Sequence, residues 1–578
     1  MGHARRTRNA TPTRQHPWVD SYVPGINAAR NYRRGDLRPD LVAGLTLFTL
    51  LIPAGMAYAE LAGLPPVTGL YATILPLLAY ALFGPSKVLV LGPDSSLGPM
   101  IAAAILPLAL GNTDRAVALA GLLAIIVGLL MVLGRFLNLG FVTDLLSKPI
   151  RLGYLNGIAL VVFAGQLPKL LGISVPGETI WAELTGSAAA LISGAFNPVA
   201  LLMGLGCLVL IKLPSWLHLR IPGTMLAVVA AVAVTFIFGL TDKLPMVGAL
   251  PPGLPAPALS GLAWPDVAAL AGPAAGIALI AFADTGVLSR TIAARRGESV
   301  SGNAELGALG VANVASGLFG GFPVSSSTSR TPVAIQAGSR TQLTGVVAAT
   351  LLVAFMLLAP GVTAYLPVTT LAAVIIVAAG SMVDIAGLRL MWRASRTETV
   401  LMFSAFLGVA VVGVLQGILV AIALSLLAFV QRAWNPYRTE LVRVPGMPGY
   451  HDVDRHPDGT RISGLIIARF DAPLFFANGA VFAAHIRELV DQAPGPVHRV
   501  VVAAEAITGI DTTALDDLVE LDKYLEQHGI DLVFAEMKGP VKDRLARLSV
   551  GARFGPENFF PTIESALRSV GGNGSGTG

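Results

Sequence analysis

Apolar residues fall in long runs from residue 41 to about 433, broken by short polar or Gly/Pro-containing links. About fourteen runs can be read: 41–59, 67–83, 93–110, 115–133, 141–166, 197–212, 222–240, 267–289, 303–319, 324–338, 342–360, 367–385, 397–413 and 414–432. A helix needs about 20 apolar residues to cross a bilayer core. Most runs approach that length, so each predicts a membrane helix. Those opening at Pro93 and Val324 are short and start at a Gly/Pro break, which predicts partial helices. After about residue 437 the pattern changes. Gly464–Phe470, Val500–Ala504 and Leu532–Glu536 read as strands, and 479–491 and 512–528 as helices. That alternation predicts a small α/β domain.

Composition agrees. Of 578 residues, 54% are hydrophobic and 13% charged, and mean hydropathy is +0.69. A soluble chain of this length needs more charge to cover its surface. The class is therefore a polytopic α-helical membrane protein with a soluble C-terminal domain. The expected divisions are a cytoplasmic arm at 1–39, a transmembrane domain at 40–433, an α/β domain at 437–570 and a disordered Gly/Ser-rich tail at 571–578. Cys207, the single cysteine, lies in an apolar run and excludes disulfides and cysteine metal clusters. The basic balance does not indicate nucleic acid, because the cations sit in short links where they set topology. With the N-terminus in the cytoplasm, inner links and helix ends hold Lys87, Arg135, Lys148, Arg151, Arg290, Arg295, Arg296, Arg340, Arg389, Arg393 and Arg432 among others. Outer links hold Arg115, Lys169 and Lys243. Both termini are then cytoplasmic, in a plasma-membrane protein.

The two membrane halves, about 40–240 and 265–433, share a signal. Gly92-Pro-Asp-Ser-Ser96 in the first matches Phe322-Pro-Val-Ser-Ser326 in the second, each at the head of the third run of its half. Seven helices per repeat invert the second copy, and broken helices at matching positions of inverted repeats point to a transporter site. A helix starting in mid-membrane presents unpaired N–H groups and a partial positive charge, which favours an anion. Ser95, Ser96, Ser325, Ser326 and Ser327 add hydroxyl donors, with Val324 at the head of the second break. The alternative is that these serines cap helices or permit close packing.

Charges within membrane helices are costly and need a reason. Asp284, followed by Thr285, stands 39 residues before Pro323, and Ala54 stands 39 before Pro93. Asp284 can bind a proton or Na⁺ and couple it to anion movement, or it can make a structural hydrogen bond. Arg330 can add positive potential to the site, pair with Asp284 or snorkel inward. Asp94 reads as an N-cap turned away from the cavity, and Glu60 as a solvated acid at the end of the first helix. No Gly-x-x-x-x-Gly-Lys loop and no His-Glu-x-x-His motif occurs, which argues against an ATP-driven pump or a zinc enzyme. No cofactor is expected.

The run Asp40-Leu-Val-Ala-Gly-Leu-Thr46, with Ile52-Pro53, Met56-Ala-Tyr-Ala59, Leu61-Ala-Gly-Leu-Pro-Pro66 and Gly69-Leu-Tyr71, resembles the opening signature of the SulP anion transporters (solute carrier family 26). So do Asn303-Ala-Glu-Leu306, Gly310, Ala312-Asn313, Gly320-Gly-Phe-Pro-Val324, Ser329-Arg-Thr331 and Thr341-Gln342. Asp471-Ala-Pro-Leu-Phe-Phe-Ala-Asn478 and Ile510-Asp-Thr-Thr-Ala-Leu515 resemble a STAS domain. The resemblance implies a seven-plus-seven inverted repeat with core and gate domains, usually a homodimer, that moves a small anion by alternating access. It places the anion between the third and tenth helices, flanked by Ala54 and Asp284. Many relatives carry a polar or acidic residue where Ala54 stands, so coupling here would rest on Asp284. Sodium-coupled relatives have a hydroxyl residue where Leu288 stands, which favours H⁺ over Na⁺, though Thr285 is close. Thr512 matches the phosphorylated hydroxyl of bacterial sigma-factor regulators, or is a helix N-cap. Sulfate is the leading substrate, with bicarbonate, a C4-dicarboxylate, an anion channel and a STAS-linked sensor as alternatives.

Overall fold

The computed structural model describes residues 23–140, 147–175, 179–217, 222–547 apart from 252, 255 and 258, and 553–571. It falls into two compact units, Met1–Ser425 and Leu426–Gly578. Residues 1–22 of the expected arm, 141–146 at the start of the fifth run and 572–578 of the expected tail lie outside the described residues.

Each of the fourteen apolar runs holds a helix. The first half contains α1 (Leu37–Leu61), α2 (Pro66–Phe83), α3 (Gly98–Ala109), α4 (Thr113–Phe136), α5 (Lys148–Leu171), α6 (Pro198–Trp216) and α7 (Gly223–Phe238). The second contains α8 (Trp264–Arg296), α9 (Gly302–Leu318), α10 (Arg330–Gln336), α11 (Leu343–Leu358), α12 (Val368–Met382), α13 (Arg396–Leu407) and α14 (Val414–Trp434). Seven described helical segments are long and apolar enough to cross a membrane by length and composition. Leu202, Phe236, Ile237 and Phe238 are exposed on α6 and α7, an apolar surface suited to lipid rather than water. Hydrophobic runs alone did not reveal three other helices, Pro24–Arg30, Ile180–Ser193 and Ile385–Ala394. All three carry polar residues that read as links.

The packing repeats between halves. α1 packs on α11 as α8 does on α4; α2 packs on α11 as α9 does on α4; α6 packs on α12 as α13 does on α5. Exchanging each helix for the one seven later maps every pair onto its mate. α4 and α9 approach through glycines. A Cβ at Gly128 would lie 2.5 Å from the Gly310 carbonyl oxygen, and one at Gly317 would lie 2.3 Å from that of Gly121. Small residues at such crossings let backbones touch, which is how membrane helices gain packing energy without a hydrophobic drive. Two acids near the starts of α1 and α8 reinforce the symmetry. Buried Asp40 accepts the Arg340 and Thr341 N–H groups at 2.7 and 3.1 Å, capping the approach to α11 from another helix. Between the mate helices Asp266 of α8 holds Arg115 of α4 at 2.9 Å.

In the second unit six strands form one sheet in the order β4-β3-β5-β6-β7-β8: β3 (Arg438–Arg443), β4 (Tyr450–Asp452), β5 (Leu465–Phe470), β6 (Arg499–Ala503), β7 (Asp531–Ala535) and β8 (Phe559–Phe560). β5 through β8 run parallel, and β3 and β4 are antiparallel additions at one edge. Helices α15 (Gly479–Asp491), α16 (Thr512–Gln527), α17 (Gly539–Leu545) and α18 (Ile563–Gly571) complete it. Ile466, Val500, Val502, Phe534, Phe482 and Leu518 close its main core.

Candidate functional site

The two runs that begin at Gly/Pro breaks do start as non-helical chain. Leu91–Gly92 (β1) and Ser325–Ser326 (β2) pair antiparallel, Leu91 opposite Ser326 and Gly92 opposite Ser325. Ser327 N–H donates to the Val90 carbonyl at 3.0 Å, and Val90 N–H donates to Thr331 Oγ1 at 3.2 Å. Helical bonding then begins on each side: Leu97 and Gly98 N–H reach the Asp94 carbonyl at 3.3 Å, and Thr331 N–H reaches that of Ser327 at 3.2 Å. The matched prolines thus mark a place where backbone groups that a continuous helix would satisfy are paired across the repeats instead. Irregular backbone at such depth is tolerated only where protein or a cavity surrounds it.

The predicted residues converge here. Ser95, Ser96, Ser325, Ser326 and Ser327 are all buried. Ser96 Oγ donates to Asp94 Oδ2 at 2.7 Å and lies 3.4 Å from Asp284 Oδ2, while Ser96 N–H donates to Asp94 at 3.1 Å. Asp94 therefore caps as expected but is not turned away, since it shares Ser96 with Asp284. Both acids are half-buried. Thr285 accepts the Ser326 N–H at 3.1 Å and so ties β2 to α8. Ser327 Oγ accepts the Arg330 N–H at 3.1 Å. The Ser326 hydroxyl has no partner among the described residues. Val324 contributes its backbone, and half-buried Ala54 lies one turn before Tyr58 on α1.

Arg330 neither snorkels nor pairs with Asp284. It is buried, donates through Nη2 to the Pro93 carbonyl, and stands with its guanidinium carbon 5.9 Å from the Tyr58 ring centroid. Its Nε and Nη1 have no partner among the described residues. Gly92, at φ +154°, gives it room: a Cβ there would lie 3.1 Å from Nη1. α10 is only seven residues long, so its dipole is slight, and the full charge of Arg330 dominates that side. The arrangement offers unpaired charged and neutral donors, with two acids, Asp94 and Asp284, in no ion pair among the described residues. That suits a small anion and a site that can hold a proton beside it.

Sequence reasoning assigned no role to several residues. Asn313 of α9 clamps β2's approach, accepting the Val324 N–H at 2.9 Å and donating to its carbonyl at 3.1 Å. Tyr58 faces Arg330, and Tyr154 of α5 lies beside Asp284. Tyr58 and Asn313 stand within motifs already visible in the sequence, whereas Tyr154 carried no signal. Glu60 is not solvated; it pairs with Lys169 of α5 at 2.9 Å. In the second unit Thr512 is exposed, and the N-cap of α16 is Asp511, which accepts the Ala514 and Phe476 N–H groups at 2.8 Å each.

The sequence profile of the sulfate permease family matches residues 37–405, and that of the STAS domain matches 456–566. The chain belongs to the sulfate permease family. Among curated relatives, the probable sulfate transporter Rv1739c of Mycobacterium tuberculosis is 40% identical over 549 residues, spanning 95% of this chain and 98% of that protein. The chloroplastic sulfate transporter 4.1 of Arabidopsis thaliana is 27% identical over 571 residues, covering 95% and 83%. The fold is shared with the murine solute carrier 26 family member A9 anion transporter, at TM-score 0.87 and 22% identity over 98% of this chain and 96% of that one. The transmembrane domain of the cyanobacterial bicarbonate transporter BicA aligns at TM-score 0.57 and 24% identity, covering 68% and 98%. This sulfate permease family member is thus a membrane protein with a transporter fold and a C-terminal STAS domain.

Proposed function

We propose that the protein is a secondary active transporter of a small anion, with sulfate as substrate, working by alternating access and coupled to protons through Asp284. The observation that carries the reading is buried Arg330, whose Nε and Nη1 lack partners among the described residues and whose guanidinium lies against Gly92 and Pro93, on the strand pair that also carries the unpartnered Ser326 hydroxyl. A buried cation with unsatisfied donors is costly unless something occupies it. An oxyanion accepts from both groups. The acids explain coupling: Asp94 and Asp284 share one serine hydroxyl, and a proton on Asp284 would reduce their repulsion of the anion. Relatives named as sulfate transporters support sulfate over bicarbonate, although the donors would accept either.

In this reading α1–α4 and α8–α11 form a core carrying the site, and α5–α7 and α12–α14 a gate. The chain sits in the plasma membrane with both termini cytoplasmic, as the distribution of Lys and Arg between links supports, and works as a homodimer. The arm is 1–39, the transporter domain 40–433 and the STAS domain 437–570. The test is uptake of labelled sulfate, bicarbonate and succinate into proteoliposomes, with and without an inward proton gradient. Saturable sulfate uptake driven by the gradient supports the proposal. Flux of another of the three keeps the site and changes the substrate; non-saturating flux that cannot run uphill indicates a channel.

A further inference from the structure

One break in the exchange symmetry of the packing falls at the site. α1 packs on α12. The mate of that pair is α8 with α5, and these two are not among the closely packed pairs. At the far end of α5, Lys169 holds Glu60 of α1, and its carbonyl accepts the Thr369 hydroxyl of α12 at 3.3 Å. The two helix groups are therefore fastened on one side and more loosely packed on the other, where Tyr154 of α5 reaches toward Asp284 of α8. The looser side leaves a stripe of α8 uncovered, Asp284, Val287, Leu288 and Thr291, all half-buried or exposed one turn apart.

Tyr154 stands opposite that stripe. It is buried, and Asp284, Asp94 and Arg151 are the charged groups around it. Its hydroxyl already lies close enough to interact with the Asp284 carboxylate, but completes no hydrogen bond of ordinary geometry among the described residues. A buried hydroxyl without a partner is unfavourable, so a second arrangement that supplies one is favoured by it. The repeat says which. Counted from Pro149 and Pro367, which open α5 and α12, Tyr154 matches Ala372; counted from Pro323 and Pro93, Asp284 matches Ala54. The half that is closely packed has alanine at both positions, and the looser half has an acid and a tyrosine.

We infer that Tyr154 is the gate-side partner of Asp284: when α5 closes on α8, its hydroxyl donates to the Asp284 carboxylate. This rests on the alternating-access reading above. Tyr154 is then a positioning residue for coupling, because it makes closure of that side depend on the state of the acid. A two-state element whose balance a site biases is what coupling requires.

The test uses full-length protein with Cys207→Ser and Leu288→Cys in inside-out vesicles, labelled by a membrane-impermeant maleimide. Tyr154→Phe keeps the ring and removes the hydroxyl. It is expected to raise the labelling rate about fivefold, the population shift for one lost hydrogen bond. In an Asp284→Ala background the same change is expected to add nothing. Equal labelling with Tyr and Phe, or an increment that persists without Asp284, overturns the inference. If the parent protein moves no anion while the Asp284-dependent increment is seen, the transport reading fails and the contact stands.

Discussion

Replacing Asn313 with alanine should weaken both the fold and the site, and the size of the effect can be worked from its bonds. The side chain is fully buried and makes three hydrogen bonds to backbone, besides a weak one to the Met131 sulfur at 3.9 Å: it accepts from Val324 N–H at 2.9 Å and donates to the Val324 and Leu309 carbonyls at 3.1 and 2.9 Å. Leu309 also has a partner within its helix, so the loss concentrates on Val324, whose N–H and carbonyl are both deprived of the amide. Membrane-protein hydrogen bonds are worth about 0.6 kcal/mol on average and up to about 1.7. Two lost bonds, with no water to replace them, give about 1–3 kcal/mol. Since Val324 leads directly into Ser325 and Ser326, the register of β2 on β1 loosens as well. Purified Asn313→Ala in detergent should melt several degrees below the parent, and its sulfate KM in proteoliposomes should rise by roughly tenfold, the factor that about 1.4 kcal/mol represents. Asn313→Asp should do no better, because it keeps the acceptor for the N–H but sets a carboxylate against two carbonyls. An unchanged melting temperature with unchanged KM would refute the clamp.

Gly128→Val should cost about 1–3 kcal/mol through overpacking, because its Cβ would stand 2.5 Å from the Gly310 carbonyl oxygen; thermal unfolding in detergent reads it, and an unshifted transition would contradict the glycine crossing. In the STAS domain Asp511→Ala should destabilise by about 1 kcal/mol through loss of the cap, whereas exposed Thr512→Ala should change stability by less than about 0.5 kcal/mol. Denaturant unfolding followed by a probe in that domain distinguishes the two, and equal effects would reassign the cap. Glu60→Gln, which removes the charge facing Lys169, should slow net uptake more than it alters sulfate affinity, read as a fall in maximal rate at constant KM; a pure KM effect would place Glu60 in the site instead.

The helical plan was legible because apolar runs report burial in lipid directly, and all fourteen hold helices. The twin Pro-x-Ser-Ser signals located β1 and β2 because only a broken helix has a use for proline and clustered hydroxyls at that depth. Less legible were contacts that depend on which helix lies alongside. Asp40 reads as an ordinary acid near a helix start, yet it caps an element three hundred residues onward. Glu60 reads as solvated until Lys169 is placed beside it. Asn313 and Tyr154 interrupt apolar stretches in the way many packed polar residues do, and only the tertiary neighbour reveals a clamp or a gate-side donor. The helices Ile180–Ser193 and Ile385–Ala394 escaped because an amphipathic period inside a link resembles a polar loop.

The central claim is that Arg330 binds the anion and Asp284 couples it to protons. The most direct measurement is gradient-driven sulfate accumulation by the parent, Arg330→Ala and Asp284→Asn proteins in parallel proteoliposomes. The account predicts that the parent concentrates sulfate, that Arg330→Ala loses affinity, and that Asp284→Asn exchanges sulfate but no longer concentrates it under a proton gradient. Normal accumulation by both variants would contradict the assignment of the site.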